Sequence, residues 1–357
     1  PIIAVKDIAI QRRENDLVLA TFGRGFYVLD DYTPLRLFQS ETQKKEIHLF
    51  PVKDTLMYIQ TSMKYGQGAT YFTAPNPDYG ATFTYYLQEA YQTKKQIRQK
   101  KDKKLFEKGK PIPNPSWEEL RLEDMETAPY LLFTISDAEG NVVRELRAKP
   151  DKGINRLAWD LSYPSPFPAK VIDNVVTPLG ESQEFAARIL ANATLAAPDR
   201  PALVRFQRQV AELTRVVQGA VELASELNGK LARIKQTLMT LPKGAASLLG
   251  QATTAEKKLD EIVYAIRGLE AKASDEEIPP THVPLWSRLS TIIYNQYATT
   301  ADPGKSQMNG IEIVKDELAP LLLELKRIAQ EDLPKLEKEL DAARAPWTPG
   351  RLLELHD

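Results

Sequence analysis

An arginine held between two glycines, Gly23-Arg24-Gly25, and the acidic pair that follows it, Asp30-Asp31, are the residues of this chain most open to a ligand. A guanidinium presented where glycines let a backbone approach closely could receive a carboxylate or phosphate in bidentate fashion. The other reading, which is the favoured one, has Arg24 tying its strand to Asp30 or Asp31. Adjacent residues on a strand point to opposite faces, so Asp30 and Asp31 are poorly placed to share a proton or a metal ion. Arg24, Asp30 and Asp31 therefore stand as candidate ligand-binding residues, without a catalytic or metal role.

The other chemically capable residues are scattered. His48, His282 and His356 fall on a strand, a loop and the chain end, and no two have metal-ligand spacing. Ser62, Ser136 and Ser162 lack a nucleophile-elbow context, and Gly66-Gln-Gly68 lacks the strand-to-helix setting of a phosphate loop. Trp159-Asp160 has the look of a sugar-stacking aromatic beside a polar partner. The alternation of Leu157, Trp159 and Leu161 instead places the indole in a core. No catalytic residue, metal site or cofactor is expected.

Bulk properties narrow the class. The chain has 357 residues, 43% of them hydrophobic, enough for two or three globular domains. Lys plus Arg number 47 against 48 Asp plus Glu, which gives no reason to expect nucleic acid as a partner. There is no cysteine, which removes disulfides and thiolate chemistry. No run approaches the roughly 20 apolar residues of a membrane span, and Pro1-Ile-Ile-Ala-Val5 is not a signal sequence.

Two periodicities divide the chain. Period two dominates the first half: Leu17 and Leu19, then Phe26 and Val28, alternate around the Gly23-Arg24-Gly25 turn. Further strands are expected at Ile47 to Phe50, Leu56 to Ile59, Ala81 to Leu87, Tyr130 to Ser136, Val142 to Arg147 and Ile154 to Leu161, with a turn over Asp137 to Asn141. The Lys-rich stretch from Tyr91 to Pro115 reads as a solvated insertion rather than a polyanion site, because no aromatic residues are interleaved for stacking. The segment from Val171 to Phe185 is short for the last strands of a sandwich, and a hairpin is expected to be missing near Asn174.

From Pro198 the period lengthens to about three and a half. Leu203, Phe206, Val210, Leu213, Val217, Ala220, Ala224, Leu227, Leu231, Ile234, Leu238 and Leu241 form one seam, opened by Asp199 and Pro201 and stopped by Pro242. Three more helices are expected, over Thr254 to Lys272 with Leu259, Ile262, Ile266 and Leu269 inward, Pro284 to Tyr297, and Ser306 to Arg344 with kinks at Pro320 and Pro334. Single-stripe helices must cover one another, so a bundle follows. A helix this long commonly outruns its neighbours, which makes Leu227, Leu231, Ile234 and Leu238 a candidate docking surface.

Three segments, Ala20 to Arg36, Ala74 to Leu87 and Gly153 to Leu161, carry a resemblance to the C-terminal part of bacterial BNR/Asp-box repeat proteins, the sortilin-like or glycosyl-hydrolase-like β-propellers. It covers essentially the whole chain, in order and spacing more than in any one motif. The resemblance implies that the first segment closes a propeller. The second and third would lie in an immunoglobulin-like module similar to that of flagellar hook-cap proteins, and a helical tail would follow. The chain departs from the pattern in having no Ser-x-Asp-x-Gly-x-Thr-Trp turn and no set of residues for a sialidase-like site.

The expected architecture is multidomain β plus α. The last strands of a β-propeller occupy 1–46, an antiparallel immunoglobulin-like β-sandwich 47–197, and an antiparallel α-helical bundle 198–357. The expected function is non-catalytic, binding and assembly within an exported propeller protein at the cell envelope. Its partners would be upstream propeller blades, other envelope proteins, or a glycan or peptide ligand; its location would be periplasmic, cell-surface or secreted, with the signal outside this chain. The alternatives are accessory modules of a BNR-type glycoside hydrolase whose active site lies upstream, and a subunit of an envelope complex that docks through its bundle.

Overall fold

The computed structural model describes residues 2–58, 74–168, 183–189, 197–241, 245–271, 274, 276, 281–297 and 299–352. Helix accounts for 48% and strand for 17%, so this is a mixed α and β protein with small sheets and a helical C-terminal region. The chain divides into two compact units, one of 1–164 with 171–192 and one of 165–170 with 193–357. The expectations at Ile59, Ser62, Gly66-Gln-Gly68, Asn174, Pro242, Lys272 and His356 lie outside the described residues.

The first unit opens with an antiparallel meander of β1 (Val5–Gln11), β2 (Asp16–Thr21) and β3 (Phe26–Leu29), in that order. Ile8, Leu19 and Tyr27 lie opposite one another, as do Ala9, Val18 and Val28. Two short helices, α1 (Thr33–Leu37) and α2 (Ser40–Gln43), lead on to β4 (Ile47–Leu49) and β5 (Thr55–Met57).

The centre of this unit is β6 (Ala81–Leu87), Ala-Thr-Phe-Thr-Tyr-Tyr-Leu, which is buried on both sides. It pairs antiparallel with β4 on one edge and with β9 (Gly153–Trp159) on the other. Phe83 and Tyr85 face a core shared with the hairpin of β7 (Leu131–Ser136) and β8 (Val142–Ala148), where the Phe83 and Phe133 rings lie 5.8 Å apart. The opposite side of β6 carries Tyr86 against Phe38 at 5.0 Å, with Phe50 fully buried nearby. β5 departs from the antiparallel expectation, since it pairs in parallel with β10 (Ala187–Ile189).

Trp159 is buried in this core, as the alternation predicts, and its Nε1 donates to the Ser162 carbonyl at 2.9 Å. Gly80 sits directly before the Ala81–Trp159 pair, at φ +109°, and a Cβ there would stand 1.8 Å from the Trp159 carbonyl oxygen. The Lys-rich insertion is a pair of helices, α3 (Lys94–Glu107) and α4 (Trp117–Asp124), each opened by a capping box, at Thr93 with Gln96 and at Ser116 with Glu119. Arg98 bridges them by donating to both Glu123 carboxylate oxygens, at 2.7 and 2.8 Å.

In the second unit the stripe read from the sequence is the core. α5 (Arg200–Leu238) runs for 39 residues, with Asp199 accepting from the Ala202 amide at 2.9 Å as its cap. Every residue of the expected seam from Leu203 to Leu238 is buried, and Leu241 packs at its margin. α6 (Ala245–Arg267), α7 (Leu285–Tyr297), α8 (Lys305–Arg327) and α9 (Leu333–Ala342) cover it.

The boundaries differ from expectation for local reasons. α6 starts at Ala245 rather than Thr254, because the Thr253 and Thr254 hydroxyls bond the Leu249 and Gly250 carbonyls and so sit within the helix. It stops at Arg267, where Gly268 adopts φ +79° and closes the end, leaving the expected core residue Leu269 exposed. Helix α8 runs through Pro320. The break expected at Pro334 takes the form of a π turn, Ile328–Asp332, just before that proline, in which the Leu333 amide donates to the Ile328 carbonyl.

Two predictions follow from these contacts. Gly80→Ala is expected to destabilise the first unit by about 3 kcal/mol or more, since both backbone conformation and space exclude a side chain; chemical denaturation followed by indole fluorescence measures it. The Glu123 carboxyl is held below the usual carboxylate range by its hydrogen bonds from Arg98. A depressed value in the folded state means stability that is complete above the unfolded value of about 4.3 and is lost as pH falls through the lower folded value. Amide protection across α3 and α4, corrected for intrinsic exchange, should hold at neutral pH and fall below about pH 4, with Glu123→Gln lessening that dependence and the Glu119 capping box, also held low, supplying the rest.

Candidate interaction surface

The turn that presents Arg24 is shaped by its glycines. Gly23 and Gly25 adopt φ +75° and +65°, which the backbone path itself requires, and the space around both is open. The Thr21 amide and hydroxyl both bond the Gly25 carbonyl, at 3.1 and 2.8 Å, and close the loop. Arg24 is exposed at its tip and forms no ion pair with Asp30 or Asp31, contrary to the favoured structural reading.

Asp31 is a backbone-shaping residue. It adopts φ +42°, its amide donates to Asp16 Oδ1 at 3.0 Å, and its carboxylate accepts from the Thr33 amide at 3.1 Å ahead of α1. The Asp31 carbonyl accepts from Arg156 at 2.8 Å. Asp30 is half-buried. The three candidates thus sit on one loop-and-strand segment without converging on a common point.

The docking surface expected along α5 is corrected by the structure. Leu227, Leu231, Ile234 and Leu238 are all buried, Leu231 and Leu238 completely, under α6 and the helices that follow. The helix does not outrun its neighbours at this end because α6 begins nine residues earlier than its sequence pattern suggests and extends the cover with Leu248 and Ala252.

The remaining candidates have structural roles or stand apart. Asp160 accepts from the Ser162 hydroxyl and amide, which lowers its pKa, and this turn positions Trp159. His48 stacks edge-on to Phe50, while His282 lies 3.6 Å from Glu317 in the other unit. Among the described residues no group of His, Asp and Glu could hold a metal ion, and no helix is long and apolar enough to cross a membrane.

The meander as a whole has a property that none of its residues shows singly. In register, one face of β1–β3 carries Ile8, Ile10, Leu17, Leu19, Tyr27 and Leu29; the other carries Ala9, Val18, Ala20, Phe26 and Val28, with Asp7, Gln11 and Asp16 towards its ends. Ile8 is 58% and Ile10 50% exposed on the first face, and Phe26 75% and Val28 57% on the second. None of these residues joins either core of the chain among the described residues. A sheet with one wet face reads as alternating polar and apolar; apolar residues on both faces mark a sheet made to be covered twice. The signal was present in the sequence as the unbroken run Asp16-Leu-Val-Leu-Ala-Thr21, which lacks polar residues at every other position.

Comparisons with protein-family models, with curated proteins and with solved structures find no match for this chain.

The contrast between these two surfaces is measurable. Leu231→Ala is expected to cost about 3 kcal/mol of stability in the helical unit, the ordinary result of opening a cavity in a packed core. Phe26→Ser, on the exposed meander, should change the stability of this chain by less than about 0.5 kcal/mol.

Proposed function

We propose that this chain is a non-catalytic binding and assembly region of an exported β-propeller protein, in which β1–β3 form part of a blade held between further sheets. One observation carries this reading: the meander is apolar on both faces, with Phe26 and Val28 on one side and Ile8 and Ile10 on the other standing exposed. Blades of a propeller are sheets packed face to face around an axis, so each inner sheet must be covered on both sides. The resemblance over Ala20 to Arg36 supports the same placement, and the compartment, the cell envelope or outside it, rests on that resemblance alone. The immunoglobulin-like assignment of the second module rests on the resemblance over Ala74 to Leu87 and Gly153 to Leu161, with two small antiparallel sheets sharing one core in its support.

Hydroxyl-radical footprinting of the native protein, compared with the 357-residue chain on its own, tests this directly. Phe26 and Tyr27 are neighbours that face opposite sides of the sheet. Both should be oxidised readily in the isolated chain and both protected in the native protein, with peptide mapping identifying propeller strands in the same polypeptide. Equal labelling of the two residues in both samples would overturn the reading, and protection of only one would replace the blade with a one-sided interface.

A further inference from the structure

The helix pair inserted between β6 and β7 belongs to neither core. No residue of α3 is buried, and in α4 only Glu123 is. Polar contacts hold the pair together: Arg98 on Glu123 and Asp102, Lys95 on Asp124, and the Lys94 amide donating to Glu126. These contacts join the start of α3 to the end of α4, so the helices run antiparallel and their other ends form a common tip. At about 1.5 Å per residue, Phe106 stands about 12 Å beyond Arg98, and Trp117 about 9 Å beyond Glu123 in the same direction.

The tip is apolar and basic at once. Phe106 is 75% and Trp117 88% exposed, with Ile112 exposed in the connection between them. Lys103, Lys104, Lys108 and Lys110 are exposed there too. The last two are carried by a tight helix end, in which Gly109 at φ +63° lets the Gly109 and Lys110 amides bond back to the Phe106 and Leu105 carbonyls. None of these lysines makes an ion pair among the described residues. Of the acids at the tip, Glu118 is paired with Arg121 and Glu119 closes the cap at Ser116, which leaves Glu107. Lys104 lies one helical turn from both Lys100 and Lys108, and like charges at that spacing oppose the helix until an anion offsets them.

This combination selects a partner. Exposed aromatic rings beside uncompensated cations fit a surface that is anionic outside and apolar just beneath, which is how a bilayer interface is built. The cations of the tip are all lysine, point charges suited to a fluid array of lipid phosphates, whereas fixed bidentate contacts call for arginine. We propose that the tip of the α3–α4 pair docks on the surface of an anionic lipid bilayer, with the four lysines among the headgroups and the Phe106 and Trp117 rings at the boundary below them. The surface lies wholly in the first unit and does not depend on the propeller reading.

Cosedimentation of the full chain with vesicles tests this, using phosphatidylcholine alone and phosphatidylcholine mixed with phosphatidylglycerol in equal parts. The chain should bind the mixed vesicles, less so at high salt, and leave the neutral ones. Lys103→Glu with Lys104→Glu should weaken binding by about a hundredfold or more, and Phe106→Ser with Trp117→Ser by about tenfold or more. All four positions are exposed and outside both cores, so the unfolding temperature should not move. Lys257→Glu with Lys305→Glu, the same charge change on the helical unit, should bind like wild type. The proposal is overturned if mixed vesicles are not bound, if neutral vesicles bind equally, or if either tip variant binds like wild type. It is also overturned if the Lys257 and Lys305 variant loses binding as the lysine tip variant does. A soluble oligothymidylate that binds as tightly as the mixed vesicles would likewise overturn it and assign the tip to a polynucleotide.

Discussion

Every apolar face in this protein has to be removed from water, and the organisation of both units follows from where that cover comes from. In the helical unit the requirement is set by α5, whose single stripe from Leu203 to Leu238 cannot be stable alone in water and obliges four later helices to fold back on it. In the first unit it is set by β6, which is buried on both sides and needs the β7–β8 hairpin against one face and the Phe38, Phe50 and Tyr86 cluster on the other. The β1–β3 meander has the same requirement and no cover among the described residues, which is why it carries the functional reading.

Residues that look chemical in one dimension here serve the backbone. Asp31 holds a positive φ and opens α1; Asp160 organises the turn under Trp159; Gly23 and Gly25 permit the conformation of a hairpin tip. Short polar side chains bond local amides cheaply, so loops that merely turn a chain attract the same Asp, Ser and Gly that active sites use. What separates the two uses is convergence, and the candidate ligand residues Arg24, Asp30 and Asp31 do not converge.

Gln296 illustrates the opposite case. Nothing in its sequence context distinguishes it, yet a chain of two hydrogen bonds beginning at the Gly304 amide orients its carboxamide and leaves its oxygen buried without a donor. Polar groups acquire meaning through such networks, since each donor or acceptor constrains the next.

Local pattern was enough to specify the elements and their inward residues. Periods of two and of about three and a half depend on backbone geometry alone, so the β6, β7, β8 and β9 strands, the burial of Trp159 and the α5 stripe were legible residue by residue. Local capping was legible at Asp199, but the start of α6 was not, because Thr253 and Thr254 resemble a break until their hydroxyls are seen bonding backward. Which faces are covered emerged only in three dimensions: that Leu227, Leu231, Ile234 and Leu238 lie in a core rather than on a surface, that β5 pairs in parallel with β10, and that Ile8, Ile10, Phe26 and Val28 of the meander stand exposed. Burial and strand partnership are relations between residues far apart in the chain, and no local pattern specifies which of several matching stripes will supply the cover.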